Sequence, residues 1–141
     1  MTSTDMPVES FFARAVFFVD DAERALEFYT KKLGFSLDWS HQEQGRAYVF
    51  QVSLHGFSLI LNQTHEAIRD RAGHGRVFLG LEDDQIAVLR RHIEQWRIES
   101  TMELWGAPTL CIRDLDGNEI YVFVPRDEWP RWEAELNKPQ P

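Results

Sequence analysis

CIRDLDGNEIYVF, residues 111–123, reads as a strand, a tight turn on Asp116-Gly117 and a second strand. Apolar residues alternate on both sides of the Asp-Gly pair, and glycine takes the positive φ that such a turn requires. Working outward, the residues before this hairpin fall into two similar series. Phe11 to Val19 is an apolar, aromatic run of strand length. Asp20-Asp21-Ala22-Glu23 follows as a capping box, with Asp20 as acceptor for the first free amides. Ala22, Ala25, Leu26, Tyr29 and Leu33 recur at helical spacing up to Gly34. Three strands are expected over about 35–42, 46–53 and 57–63, broken at Gln44-Gly45 and His55-Gly56. After a polar connector, 64–74, the order returns. Gly75 to Leu81 is a strand. A helix starting at Glu82 carries Ile86, Leu89, Ile93 and Trp96 as its core stripe. The strands Ile98–Leu104, Pro108–Arg113 and Glu119–Val124 follow.

Setting Val19-Asp20-Asp21 on Leu81-Glu82-Asp83 gives a repeat offset of about 62 residues. The expected fold class is therefore α+β, with two β-α-β-β-β modules forming curled mixed sheets around a cleft. Module 1 covers about 11–63 and module 2 about 75–125. Residues 1–10 read as a flexible leader and 126–141 as a C-terminal tail with Trp129, Pro130 and Trp132.

The chain has 141 residues, enough for one domain with its own core. A net charge of -8 opposes a nucleic-acid surface and permits attraction of a cationic ligand. The single cysteine, Cys111, excludes an internal disulfide and fits a reducing cytoplasm. Neither a signal peptide nor a membrane-spanning apolar stretch is visible, so the expected location is cytoplasmic.

FFARAVFFVDDAERALEFYTKKLGFSLDW, the pair Trp105-Gly106 and RDLDGNEIYVF together resemble the vicinal oxygen chelate superfamily: glyoxalases, bleomycin-resistance proteins and ring-cleaving dioxygenases. The resemblance covers roughly residues 12–125. It implies a homodimer in which two chains complete two clefts. It also locates the metal-ligand positions of the family's enzymes at Arg14 and Arg76 on the first strand of each module, and near Ile60 and at Tyr121 on the fourth. Arginine cannot ligate a cation, isoleucine has no donor atom, and a neutral phenol is a poor ligand. A two-residue slip reaches only His74 and Glu119, too few for a closed site. His41, His55, His65, His74 and His92 are expected in turns, the connector or a helix face. The expectation is no metal and no cofactor.

Strand parity separates two faces. Tyr48, Phe50, Phe57, Leu59 and Leu61 are assigned to the helix-covered side. Val49, Gln51, Ser53, Ser58, Ile60 and Asn62 share the other face. Arg14, Val16, Phe18, Arg76, Phe78, Glu119, Tyr121 and Phe123 fall on that same side. With Asp38, Trp39, Trp105 and Gly106 at the rim, this face suits a flat aromatic ligand. Arg14 and Arg76 have two readings: ion pairs, with Glu119 or the partner chain, or binding of an anionic ligand group. Trp39 and Trp105 are equally compatible with ligand contact or with packing at an interface. The leading expectation is a bleomycin-resistance-type protein that sequesters a small aromatic, drug-like molecule at a dimer cleft. The alternatives are an enzyme of the superfamily with non-standard residues such as Glu119 and Tyr121, and a regulatory or structural dimer.

Overall fold

The computed structural model describes residues 12–124, 126–128 and 130. Two four-stranded mixed sheets carry the fold. The first contains β1 (Ala15–Val19), β2 (Ser36–Glu43), β3 (Arg46–Leu54) and β4 (Phe57–Gln63), in the order β1-β4-β3-β2. The second contains β5 (Arg76–Leu79), β6 (Ser100–Leu104), β7 (Pro108–Arg113) and β8 (Glu119–Phe123), in the order β5-β8-β7-β6. In each, the first strand lies parallel to the fourth and the other pairings are antiparallel. Helix α1 (Ala22–Glu27) follows β1, and α2 (Asp83–Trp96) follows β5. The expected α+β class and the duplicated β-α-β-β-β order therefore hold. The leader, Trp129 and Trp132 lie outside the described residues.

Local chemistry explains most boundaries. Gln44-Gly45 and His55-Gly56 are two-residue hairpin turns with positive φ at both positions: 52° and 78°, then 50° and 88°. Both match the right-handed twist of the paired strands, so Glu43 faces Arg46 and Leu54 faces Phe57. The β7–β8 connection is wider than a two-residue turn: residues 114–118 span it, closed by Gly117 N donating to Asp114 O at 3.2 Å.

The cap of α1 is displaced by one residue from expectation. Asp21, not Asp20, accepts from the amides of Glu23 and Arg24. Asp20 instead donates its amide to Asp116 Oδ1 at 2.9 Å. Beyond Glu27 the helix widens into a π-helical turn, Phe28–Lys32, which ends before Gly34 at φ 87°. Helix α2 starts beside Glu82 as expected, and the structure adds a capping box there, with Glu82 N donating to Gln85 Oε1. Its stripe is only partly core. Ile86 and Leu89 are buried, but Trp96 is 42% exposed beneath the Lys32 ammonium. Trp96 is the last residue of the helix. Two other assignments change. Tyr48 is half-buried, with its ring edge on His41, and His41 lies within β2 rather than in a turn.

One core serves both modules. Phe17, Val19, Val52, Leu59 and Leu61 from the first sheet join Leu79, Leu110, Ile112, Ile120 and Val122 from the second, under Ala25, Phe28, Ile86 and Leu89 of the helices. At its centre sits a buried polar hub. Asp114 Oδ2 accepts from Tyr29 Oη at 2.9 Å and Asn118 Nδ2 at 3.0 Å. Asp114 Oδ1 accepts the amides of Asp116 and Asn118, each at 2.9 Å. Asn118 also donates to Phe18 O and accepts from Gly75 N, which joins β1 to the hairpin loop of the second module. A carboxylate with four donors is a satisfied one, which is why it is tolerated inside.

Candidate functional site

The sheet faces turned away from the helices carry the candidate site. Register follows the expected parity: Val49 pairs with Asn62, Gln51 with Ile60 and Ser53 with Ser58. Across β1–β4, Val16 pairs with Ile60 and Phe18 with Asn62. In module 2, Arg76 pairs with Glu119 and Phe78 with Tyr121; β7 then sets Cys111 beside Tyr121 and Arg113 beside Glu119. This face exposes Val16, Phe78 and Phe123.

The module 1 corner is a hydrogen-bonded ladder. Arg14 Nε donates to Gln51 Oε1 at 3.1 Å, and Gln51 Nε2 donates to Asp38 Oδ2 at 2.9 Å. Ser53 Oγ donates to the other Asp38 oxygen at 2.9 Å. Asp38 reaches this face because β2 shifts register between Leu37 and Trp39. Trp39 is half-buried, and its Nε1 has no partner among the described residues. Asn62 turns its amide back to the Gln63 carbonyl, at 3.0 Å.

The module 2 corner is built around Glu119. Arg76 Nε lies 3.0 Å from Oε1, and Tyr121 Oη donates to the same oxygen at 2.9 Å. Arg113 Nη2 lies 3.1 Å from Oε2, which also accepts from Cys111 Sγ at 3.5 Å. Of the two readings of Arg76, the ion pair with Glu119 is the one formed. Burial alone would raise the Glu119 carboxyl. The Tyr121 and Cys111 hydrogen bonds and the Arg113 and Arg76 charges outweigh it and hold the group below its ordinary range. The two donors move the other way. Burial, then the hydrogen bond to Glu119, pushes Tyr121 up to about 12. Burial, then Glu103, pushes the Cys111 thiol up to about 12 against the opposing pull of Arg113.

Trp105 folds over this corner from the β6–β7 loop. Its ring stacks on Tyr121 at 4.7 Å and 27°, and on Phe78 at 5.6 Å and 24°. Phe123 meets Phe78 edge-on at 4.4 Å. Gly106, at φ 73°, makes the turn behind the indole. Half of Trp105 remains exposed, so its outer face is a ready stacking surface.

The metal-ligand positions of this architecture do not suit a metal here. Arg14 and Arg76 are cations, Ile60 is alkyl, and Tyr121 spends its proton on Glu119. Sequence reading missed one other donor group: Glu103, Cys111 and Glu119 bring one ligand atom each within 4.8 Å of one another. A cation among them would have to compete for Glu119 with the guanidiniums that already hold it. Glu103 and Arg113 were invisible to parity because Leu104 pairs with Pro108 across a three-residue loop, a register no local signal specifies.

A separate depression lies on the helix side, lined by Leu33, Leu54, His55, Val88, Leu89 and His92. It shares no residue with the corners just described.

The chain belongs to the glyoxalase/bleomycin resistance protein/dioxygenase superfamily, whose family model matches residues 12–122. No curated protein matches the sequence significantly. Among solved structures it is similar to TnmS3, an antibiotic binding protein from Streptomyces sp. CB03234: TM-score 0.59, 21% identity, covering 84% of this chain and 99% of that one. It is similar to the lactoylglutathione lyase of Agrobacterium tumefaciens: TM-score 0.59, 19% identity, covering 82% and 93%. TioX from Micromonospora sp. ML1 gives a TM-score of 0.61 at 15% identity, covering 77% and 94%. These likenesses establish the fold; an antibiotic binding protein and a lyase share it.

Proposed function

We propose that this chain is a metal-independent binding protein of the bleomycin-resistance type, holding a flat aromatic molecule without converting it. The observation that carries the reading is the state of Glu119. Two guanidiniums, a phenol and a thiol bind its oxygens, so it is fixed as an anion, and its two proton donors are pushed to about 12. A general acid or base needs a pKa near the working pH. This cluster pushes its groups away from that range. What remains available is an aromatic surface made by Trp105, Phe78 and Phe123, with the Arg14–Gln51–Asp38 ladder on the other module.

The proposed site contains Arg14, Asp38, Trp39, Gln51, Ile60, Asn62, Arg76, Phe78, Trp105, Gly106, Glu119 and Tyr121. Arg76 and Glu119 serve it as a fixed ion-paired floor. The exposed apolar face around Val16, Phe78 and Phe123 supports a homodimer that closes two clefts. The resemblance to an antibiotic binding protein is consistent with a drug-like ligand.

Titration of intrinsic tryptophan fluorescence with a panel of aromatic antibiotics tests the reading, followed by mass analysis of the recovered ligand. Saturable quenching with unchanged ligand mass is expected. A new product mass assigns the chain to the enzymes of its superfamily instead.

A further inference from the structure

Glu103 sits in the charged cluster of this face, close to Cys111 and Glu119 and within the field of Arg113. Its Oε2 is sealed from solvent and has no hydrogen-bond partner among the described residues. It lies within the same 4.8 Å group as Cys111 and Glu119. Glu119 has its full complement of donors, from Arg76, Arg113, Tyr121 and Cys111. Arg113, the nearer cation, is already spent, with Nη2 on Glu119 and Nη1 on Thr101 Oγ1 at 3.2 Å. So one carboxylate of the pair is neutralised and the other is not. A buried carboxylate oxygen without a donor is costly, and a donor carried by a ligand would relieve that cost.

The surroundings specify which donor. Tyr121 Oη binds the neighbouring carboxylate, and Trp105 stacks directly on the Tyr121 ring. Aromatic faces attract cations, and the unmatched negative charge adds to that attraction. A neutral hydroxyl would supply the hydrogen bond but leave the charge. A divalent metal would have to enter beside Arg113 and compete with it for Glu119.

We propose that Glu103 is the charge anchor of this cleft and that its ligand class is the flat aromatic cation. The ring system stacks on Trp105, and a protonated amine donates to Glu103 Oε2. This rests on the binding reading above and narrows it: among aromatic molecules, those carrying an amine are selected.

The full chain is titrated with proflavine, a flat cation, and with acridone, a neutral flat analogue, following tryptophan quenching and dye anisotropy. Proflavine is expected to bind at least about 10-fold more tightly than acridone, the scale of one charge-assisted hydrogen bond. Glu103→Gln, with its melting temperature checked against the parent, is expected to erase that preference and leave acridone binding as it was. Trp105→Ala weakens both. Equal affinity of the unaltered protein for the two dyes, or proflavine binding unchanged in Glu103→Gln, overturns the anchor while the aromatic-binding reading stands. If neither dye binds, both fall. Zn²⁺ binding that disappears in Glu103→Gln and excludes proflavine would assign the oxygen to a metal and also overturn the proposal.

Discussion

Removing one hydroxyl at the hub, Tyr29→Phe, tests whether the two modules are held together by polar chemistry or only by apolar packing. Tyr29 is fully buried and donates to Asp114 Oδ2 at 2.9 Å. Burial, then the Asp114 charge and hydrogen bond, raises its pKa well above the ordinary phenol value, so it remains a donor at any usable pH. A hydrogen bond to a charged group is worth about 1.5–3 kcal/mol net. The substitution removes one of four donors on Asp114 and leaves no new unsatisfied group on the ring, so about 2 kcal/mol is expected. With a urea m-value of about 2 kcal/mol/M, the unfolding midpoint falls by about 1 M. Asp114→Ala should be far worse, because the Tyr29 hydroxyl and the backbone amides of Asp116 and Asn118 lose their acceptor, at about 1–3 kcal/mol each. That sum reaches the total stability of an ordinary domain. Urea melts followed by circular dichroism read both variants. A Tyr29→Phe change below about 0.5 kcal/mol with an unchanged slope would show that the hub adds nothing to the packing around it.

Three further outcomes are expected. Gly75→Ala places a methyl group into the Phe17 ring and 2.9 Å from Asn118 Oδ1, so thermal melts should show a loss of about 1–3 kcal/mol. Trp105→Ala should reduce affinity for flat ligands by about 10-fold through lost stacking, while sedimentation shows the same assembly state as the parent. Glu119 has its carboxyl held below 4.5, so its ionised cluster stabilises the fold fully above that pH and loses the contribution as pH falls through the lowered value. The stability gap between the parent and Glu119→Gln is therefore expected to be largest at neutral pH and to close in acid; acid titrations of both proteins measure it.

How much was legible depended on whether the signal was local. Gln44-Gly45 and His55-Gly56 are turn dipeptides between alternating strands, so they specified register, and register placed Gln51, Ile60 and Asn62 on one face. The repeat of capped helices after apolar strands carried the duplication, and with it the equivalence of Arg14 and Arg76. The misses came from contacts between distant residues. Nothing near Tyr29 announces Asp114, which lies 85 residues away. Nothing near Trp105 announces that the indole lies down on Tyr121 rather than standing at a rim. Glu103 and Arg113 required the β6–β7 register, which a three-residue loop leaves open. Trp96 fitted the helical period and still emerged exposed at the helix end, because periodicity says which side a residue is on and not how deeply it is covered.

The Phe18 carbonyl accepts from both Gly73 N and Asn118 Nδ2. The opening strand of the first module therefore ends on one donor from the connector and one that only the second module can supply. Two ancestral copies that once had to stand alone would have lost that independence as this exchange arose, and the fusion could not then be undone. Cutting the gene in the 64–74 connector should yield two fragments that stay unstructured apart and reassemble when co-expressed, the behaviour of a split reporter rather than of two beads on a string.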